Sequence, residues 1–199
     1  VELSAERLER LFAETGFIPR YVEKVVRLLD LLEGMQRHPD LKGQFVLKGG
    51  TALNVFFLDL PRLSVDIDLT YRYINNRRQA LKEISDSILE IESDINRYHK
   101  DLRTHASYSG DALSKLIVQG KEGQIKIEVN TVLRGTLFEP AKKELHQNVQ
   151  DEFETFASIE TLSFEELLAG KICAALDRQH PRDFFDVKLL LDGEGISQD

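Results

Sequence analysis

Apolar residues recur along the chain at two periods, three to four residues in some segments and every second residue in others. The longer period predicts amphipathic helices over residues 3–13, 21–35, 75–100, 164–178 and 182–191. Alternation predicts strands over residues 104–108, 113–119, 124–130 and 156–160. Glycine-containing turns separate the first three strands, so a small meander of hairpins is expected. Pro19 opens the second helix, His180 and Pro181 end the fourth, and Gly193 ends the last.

The segment between the second and third helices departs from this regular pattern. Residues 45–47 are apolar and predict a short buried strand, and a helix follows over residues 51–58. Gly49 and Gly50 allow a tight turn between them, and the free N–H groups at the start of a helix favour anions. The turn therefore predicts a phosphate-binding cradle. Plain turn chemistry is the alternative.

An acidic strand is predicted next, over residues 64–70. Asp66 and Asp68 are two residues apart, so both carboxylates leave the same face while the apolar neighbours point to the core. A solvated strand edge would also carry acids. Aspartate is disfavoured in strands, however, and two of them beside a glycine turn favour a site for metal and triphosphate.

Three further segments carry candidate chemistry. In the strand over residues 124–130, Glu128 lies on the face opposite the apolar residues, as it would on any outward-facing strand. In the helix over residues 164–178, Lys171 falls inside the apolar stripe. Its ammonium group either meets an anion such as a triphosphate or reaches past the stripe to water. Asp183 and Asp186 share one face of the last helix, where Asp183 could also cap the helix dipole.

Length and composition limit the class of protein. A chain of 199 residues with 42% hydrophobic residues can bury one sizeable core. We expect a single domain over residues 1–199, with N-terminal packing helices and a core over about residues 40–192. The net charge of −8 argues against a large nonspecific nucleic-acid footprint. The single cysteine excludes an intrachain disulfide, and the absence of a long apolar run predicts a cytoplasmic protein without membrane contact.

The motifs together resemble a known family. The order Gly49-Gly50-Thr51-Ala52-Leu53, Leu60-Pro61-Arg62, Ser64 and Asp66-Ile67-Asp68-Leu69 is similar to the first motif of the AbiEii-type toxin nucleotidyltransferases. This branch of the polymerase-beta-like superfamily includes the mycobacterial MenT toxins. Lys171, followed by Arg178 and by Arg182-Asp183-Phe184-Phe185-Asp186, resembles the later motifs. The resemblance implies an α+β fold with a polymerase-beta-like core, a small mixed or antiparallel sheet flanked by helices.

The resemblance also implies a role for each candidate residue. Asp66, Asp68 and Glu128 would bind Mg²⁺, with Glu128 as the third acid that helps to activate the attacking hydroxyl. The nucleoside triphosphate would contact Lys48, Gly49, Gly50, Thr51, Lys171 and Arg182. Asp183 would have a catalytic role or orient Lys171, and it is favoured over Asp186.

The function implied is transfer of a nucleoside monophosphate to an acceptor hydroxyl by a toxin that has a separate antitoxin. RNA, such as a transfer RNA, is the acceptor that the family suggests. A small-molecule or protein hydroxyl is an alternative acceptor, and a non-catalytic nucleotide-binding regulator is an alternative function. The sequence leaves the base preference, the acceptor, the antitoxin and the oligomeric state open.

Overall fold

The computed structural model describes residues 3–192. The chain begins with two amphipathic helices, α1 (Ala5–Thr15) and α2 (Pro19–Arg37), close to the predicted positions. The Ser4 hydroxyl accepts a hydrogen bond from the Arg7 N–H and caps α1. Gly16 ends α1 in the left-handed conformation, with φ of 73°. The predicted cap Gly193 lies outside the described residues.

A seven-stranded mixed sheet forms the centre of the molecule. Its strands are β1 (Phe45–Lys48), β2 (Ile67–Tyr71), β3 (Arg103–Ser109), β4 (Ala112–Gly120), β5 (Gly123–Asn130), β6 (Ala141–Glu144) and β7 (Ser158–Thr161). They lie side by side in the order β3-β4-β5-β2-β1-β7-β6. The predicted hairpins are confirmed, since β3, β4 and β5 pair antiparallel. β2 pairs parallel to β5 and antiparallel to β1, which brings three separate segments together.

Five more helices complete the fold. They are α3 (Gly49–Ala52, continued by a π-helical turn over Leu53–Phe57), α4 (Arg77–Tyr98), α5 (Gln147–Phe153), α6 (Phe164–Arg178) and α7 (Pro181–Asp192). α6 packs against α3 and α7, and α4 packs against β3 and β4. The sequence pattern did not predict β6 or α5. β6 reads Ala-Lys-Lys-Glu at an edge of the sheet, where charged residues replace the alternation that identifies inner strands.

The two faces of β2 explain how the sheet positions a site. Ile67, Leu69 and Tyr71 are buried on one face, and the Tyr71 hydroxyl donates a hydrogen bond to Glu83 of α4. This contact places α4 over the apolar face. Asp68, which alternates with these residues, therefore points to the opposite face.

The acidic strand begins later than predicted. The predicted range was 64–70, but β2 starts at Ile67, so Asp66 lies in the irregular segment just before it. Its position is fixed by α3 instead, because the Thr51 hydroxyl donates to the Asp66 carbonyl oxygen at 2.5 Å. The buried side chain of Thr51 thus joins the start of α3 to the acidic segment.

Ser163 and Glu166 have the spacing of a capping box at the start of α6, and the box forms only in part. The Ser163 hydroxyl accepts from the Glu166 N–H at 3.2 Å, as expected of an N-cap. The Glu166 carboxylate accepts from the N–H groups of Leu137 and Phe138 instead of reaching back to Ser163. Glu166 therefore ties the loop after β5 to the start of α6.

Candidate active site

The chain passes from β1 directly into α3 through Gly49 and Gly50, the Gly-Gly turn, so the helix begins two residues before the predicted start at Thr51. The passage requires both glycines. Gly49 has φ of 74°, a left-handed conformation that side chains rarely adopt. A Cβ atom at Gly49 would lie 2.6 Å from Asp68 Oδ2. At Gly50 it would lie 2.9 Å from Arg62 Nη2 and 3.0 Å from Ser64 Oγ. The Gly-Gly turn is therefore in close contact with a carboxylate on one side and a guanidinium group on the other.

A row of charged residues crosses four neighbouring strands beside this turn. The register pairs Lys48 of β1 with Asp68 of β2, Asp68 with Glu128 of β5, and Glu128 with Lys115 of β4. Paired residues on adjacent strands share a face at a spacing of about 5 Å. Glu128 thus lies on the strand next to the acidic one, as its predicted role requires.

Positive side chains surround Glu128 on this face. Lys126 Nζ lies 2.8 Å from Glu128 Oε2, and Lys115 Nζ lies 3.6 Å from Glu128 Oε1. Burial alone would raise the pKa of Glu128, but the hydrogen bond and charge of Lys126 outweigh it and lower the pKa overall. In the same way, Glu128 outweighs burial at Lys126 and raises the pKa of its ammonium group. Glu128 is therefore held as a carboxylate.

Asp68 has the opposite electrostatic environment. Burial raises the pKa of its carboxyl group, and the negative charges of Asp66 and Glu128 add to the effect. Lys126 and Lys48 offset this only in part. Burial also lowers the pKa of the Lys48 ammonium group, against the attraction of Asp68 and Glu128. The acidic face, formed by Asp66, Asp68 and Glu128, therefore has too little positive charge around Asp68.

The three acids have the donor chemistry of a divalent metal site. Carboxylate oxygens are preferred ligands of hard cations, and a cation at Asp66, Asp68 and Glu128 would stabilise the Asp68 carboxylate, whose pKa is raised by burial and by the two neighbouring acids. Their ligand atoms do not all lie within 4.8 Å of one another, and Glu128 is paired with Lys126. The donor set suits a hard cation by its chemistry, but the three side chains do not converge as ligands in this structure.

Among residues 3–192, a different group does meet that distance: His38, Asp40 and Glu90. It lies at the end of α2, fourteen residues beyond Lys24, whose pKa is affected by Asp66. This separation is about 21 Å along a helix. The His38 group therefore cannot serve the Gly-Gly turn.

A buried ion cluster links α6 to α7 on the other side of the turn. Lys171 is only 7% exposed, which favours the alternative in which its ammonium group meets an anion over the one in which it reaches water. Its Nζ lies 3.1 Å from Asp183 Oδ1 and 2.9 Å from Asp186 Oδ2. Arg178 Nη2, on a more exposed side chain, lies 2.9 Å from Asp183 Oδ2. Two aspartates of the protein are thus the anions that meet this lysine.

Comparison with known families identifies the chain. The sequence profile described as nucleotidyl transferase AbiEii toxin, type IV toxin–antitoxin system, matches residues 30–199. The chain belongs to this family. The predicted resemblance is confirmed, and the match includes the Gly-Gly turn, the acidic face and the α6–α7 cluster.

A solved structure has the same fold. MenT4, a nucleotidyltransferase toxin from Mycobacterium tuberculosis H37Rv, matches with a TM-score of 0.62 at 16% sequence identity. The match covers 86% of this chain and 58% of MenT4, so the chain spans little more than half of that protein. The likeness agrees with the predicted polymerase-beta-like core. A search of curated protein sequences gives no significant match. Within residues 3–192, no helix has the length and apolar character to cross a membrane.

Two residues beside the Gly-Gly turn, Arg62 and Asp186, are more closely connected to it than the sequence suggested. Arg62 Nε lies 2.7 Å from Asp186 Oδ1 and Arg62 Nη2 lies 2.5 Å from Asp186 Oδ2. From the sequence, Arg62 was only part of a motif, and Asp183 was favoured over Asp186. Asp186 is completely buried, and the spacing of three from Asp183 was the signal available in the sequence. Burial alone would raise its pKa, but hydrogen bonds from Arg62 and Lys171 lower it overall.

Arg182 is the predicted site residue that the structure does not join to the others. It is exposed at the start of α7, and its backbone N–H donates to His180 Nδ1 at 3.2 Å. Over residues 3–192, its guanidinium group has no ion pair within 4.0 Å. Thr51 is present at the turn, but its hydroxyl is used inside the protein, since it lies 3.0 Å from Ser64 Oγ besides donating to Asp66.

Proposed function

We propose that this chain is a magnesium-dependent nucleotidyltransferase that moves a nucleoside monophosphate from a nucleoside triphosphate to an acceptor hydroxyl. The family assignment supports the reaction class. One contact supports its location, namely the approach of the Asp68 carboxylate to Gly49, where a Cβ atom would lie 2.6 Å from Oδ2. A carboxylate suited to a metal ion thus borders the turn whose N–H groups would bind phosphates.

Asp66, Asp68 and Glu128 are the proposed ligands of the metal ion. Bound there, Mg²⁺ would neutralise charge on the triphosphate and on the leaving pyrophosphate. Glu128 is ionised and would accept the proton of the acceptor hydroxyl, although the pairing with Lys126 that lowers its pKa also makes it a weaker base. The hydroxyl oxygen then bonds to the α phosphorus while the bond from that phosphorus to the bridging oxygen of pyrophosphate breaks.

The triphosphate contacts are proposed on the other side of the turn. The N–H groups from Lys48 to Thr51 would bind phosphate oxygens, because the first N–H groups of a helix have no partner within it. An ammonium group has three N–H donors, and Asp183 and Asp186 accept two from Lys171, so the third can donate to a phosphate. Asp183 orients Lys171 in this proposal, and the exposed Arg182 would join when the nucleotide is bound.

We also propose the biological setting. As a member of a toxin family, the chain would act in the cytoplasm as a toxin with a cognate antitoxin, and its acceptor would be an RNA such as a transfer RNA. Lys24, Lys115 and Lys126 supply local positive charge near the acids in a protein of net charge −8. They would favour a limited RNA contact over a broad one. The activity is proposed to reside in one domain over residues 1–199.

Labelled substrates test this proposal directly. The protein would be incubated with Mg²⁺, each labelled nucleoside triphosphate and total cell RNA, and both labelled products and released pyrophosphate would be followed. Asp68→Asn is the variant expected to be inactive, and Asp86→Asn on the surface of α4 is the matched control. Label in RNA that depends on Asp68 would support the proposal.

Other outcomes would indicate a different acceptor, a different function or a different site. Label on a small molecule or on a protein would keep the reaction and replace the acceptor. Binding of nucleoside triphosphate without pyrophosphate release would favour a regulator. Equal transfer by the wild type and Asp68→Asn would remove the proposed site.

A further inference from the structure

We propose that Arg62 is a positioning residue, which fixes the Gly-Gly turn by joining it to the buried Asp186 of α7. This inference rests on the proposed function, because it assigns the turn to the triphosphate. Arg62 would not touch the reacting atoms. It would act through Gly50 and through Lys171.

The bond between Arg62 and Asp186 has a fixed geometry. Nε and Nη2 of Arg62 each donate to a different oxygen of Asp186, at 2.7 and 2.5 Å. Such a paired contact fixes the plane of the guanidinium group as well as its position. Asp186 is 0% exposed and the Arg62 side chain is 19% exposed, so water competes little with the contact. Arg62 is therefore rigidly attached to α7.

The same guanidinium group encloses Gly50. Its Nη2 atom lies 2.9 Å from the place that a Cβ atom of Gly50 would occupy, and Ser64 Oγ lies 3.0 Å from it. On another side of the residue, Asn54 Nδ2 donates to the Gly50 carbonyl oxygen at 2.8 Å. Gly50 is thus enclosed where a side chain would lie and is hydrogen-bonded at its carbonyl group. Movement of Arg62 would release one of these restraints.

Asp186 extends this restraint to Lys171. Its Oδ2 atom lies 2.5 Å from Arg62 Nη2 and 2.9 Å from Lys171 Nζ. Asp183 also contacts Lys171, but its other partner is the more exposed Arg178. Asp186 is therefore the carboxylate that sets the turn and the lysine relative to each other. Both are proposed to contact one triphosphate, so their separation should affect nucleotide affinity.

Arg62→Lys tests this inference because it keeps the charge and loses the paired geometry. A lysine at position 62 has one nitrogen and cannot hold both oxygens of Asp186 in a fixed plane. The matched control is Arg27→Lys, since Arg27 is 18% exposed and pairs with the buried Glu122 away from the turn. Both variants remove a similarly buried arginine contact.

Three measurements separate positioning from general stability. They are the melting temperature, deuterium exchange of residues 47–56 without nucleotide, and the KM and kcat for the nucleoside triphosphate from pyrophosphate release. We expect Arg62→Lys to raise KM about tenfold or more, with a smaller change in kcat, because a misplaced turn weakens binding. Exchange at the turn should also become faster. Arg27→Lys should lower the melting temperature with little change in the other two readouts.

The inference would be overturned if the two variants gave the same KM and the same exchange at the turn. It would also be overturned if Arg62→Lys raised KM with exchange unchanged, since Arg62 would then act on the phosphates directly. Should Arg62→Lys fail to fold, Arg62→Met combined with Asp186→Leu replaces the buried pair by apolar groups, and the same comparison applies. Exchange in the nucleotide-free protein does not depend on catalysis. A wild type without transferase activity would therefore refute the proposed function while this test still gave an answer.

Discussion

Two groups of carboxylates flank the same turn, and they are stabilised in opposite ways. Asp68 lies against Gly49, where burial and neighbouring acids raise the pKa of its carboxyl group. Asp186 lies behind Gly50, where Arg62 and Lys171 lower the pKa of a completely buried carboxyl group against the effect of burial. The Asp68 carboxylate has too little positive charge around it, whereas the Asp186 carboxylate has two cationic partners, Arg62 and Lys171. The first is suited to accept a cation, while the second is already satisfied within the protein.

This contrast distinguishes carboxylates that are suited to bind a ligand from carboxylates that position other residues. Carboxylates that are gathered without enough positive charge cost stability, and such sites are typical of ligand-binding and catalytic positions. Carboxylates that are buried with fully formed partners orient those partners. The acidic face and the α6–α7 cluster should therefore respond differently to the same chemical change, aspartate to asparagine.

The largest expected effect is the loss of activity in Asp68→Asn. Neutralising a proposed metal ligand should lower nucleotidyl transfer on the order of a thousandfold, the scale of losing one essential electrostatic contact. The melting temperature at pH 7 should stay the same or rise, because a carboxylate that is costly to bury has been removed. Initial rates of pyrophosphate release and thermal melts give the two values. Retained activity would show that the reaction does not use the acidic face.

The second prediction is that Asp186→Asn, unlike Asp68→Asn, loses stability. An amide cannot balance the charges of Arg62 and Lys171, which would be left in a buried site. Breaking a buried ion pair in this way costs about 3–5 kcal/mol of unfolding free energy. Urea unfolding of the variant should show this loss, beside little or no loss in Asp68→Asn. Equal stability of the two variants would contradict the distinction between the groups.

Most of the fold could be predicted from the sequence, because apolar residues recur at a regular spacing in helices and inner strands. α6 was predicted with its correct bounds, and β5 within a residue. β6 was not predicted, since an exposed edge strand of charged residues has no apolar alternation. The start of β2 was also misplaced, because Asp66 is positioned by a hydrogen bond from Thr51 and not by strand pairing.

Part of the candidate site could be predicted from residues adjacent in the chain, and the resemblance to the family added distant residues such as Glu128. The Gly-Gly turn and the Asp-x-Asp segment are local motifs, but only Asp68 of the two acids lies in a strand as expected. The pairing of Asp68 with Glu128 joins segments sixty residues apart, and that of Arg62 with Asp186 joins segments even farther apart. The second pairing was not foreseen, because no periodic pattern encodes a contact between a loop arginine and a helical aspartate.

The third prediction, Lys171→Met, has an intermediate effect on stability. Packing alone would preserve stability, because methionine keeps most of the stem that lies in the apolar stripe. In the structure, Lys171 contacts Asp183 and Asp186, and both keep an arginine partner when it is removed. We therefore expect a loss of about 1–3 kcal/mol, smaller than for Asp186→Asn.

Ligand-induced melting shifts test the proposed phosphate contact of Lys171 separately from its stability. With Mg²⁺ and nucleoside triphosphate, the wild type should gain stability by mass action, and Lys171→Met should gain much less. Lys188→Met is the control, because Lys188 is an exposed residue of α7 that pairs only with Asp192 in the described chain. Equal shifts in all three proteins would exclude a phosphate contact for Lys171.

The smallest and most specific expected effect is the pH dependence of the two aspartate variants, measured in EDTA. The pKa of Asp68 is raised above its ordinary 3.8, so the folded state binds this proton more tightly than the unfolded state does. The destabilising charge is present at neutral pH and disappears as pH falls through the raised pKa. The stability that Asp68→Asn gains over the wild type should therefore shrink within a window above pH 3.8.

Asp186 behaves in the opposite sense, since its pKa lies below 3.8 and its contribution is complete above that pH. The advantage of the wild type over Asp186→Asn should persist to pH 3.8 and decrease only below it. Melting temperatures of the three proteins across acidic pH would give two difference curves of opposite sign, in separate windows. Curves of the same sign would mean that the two carboxylates share one electrostatic environment.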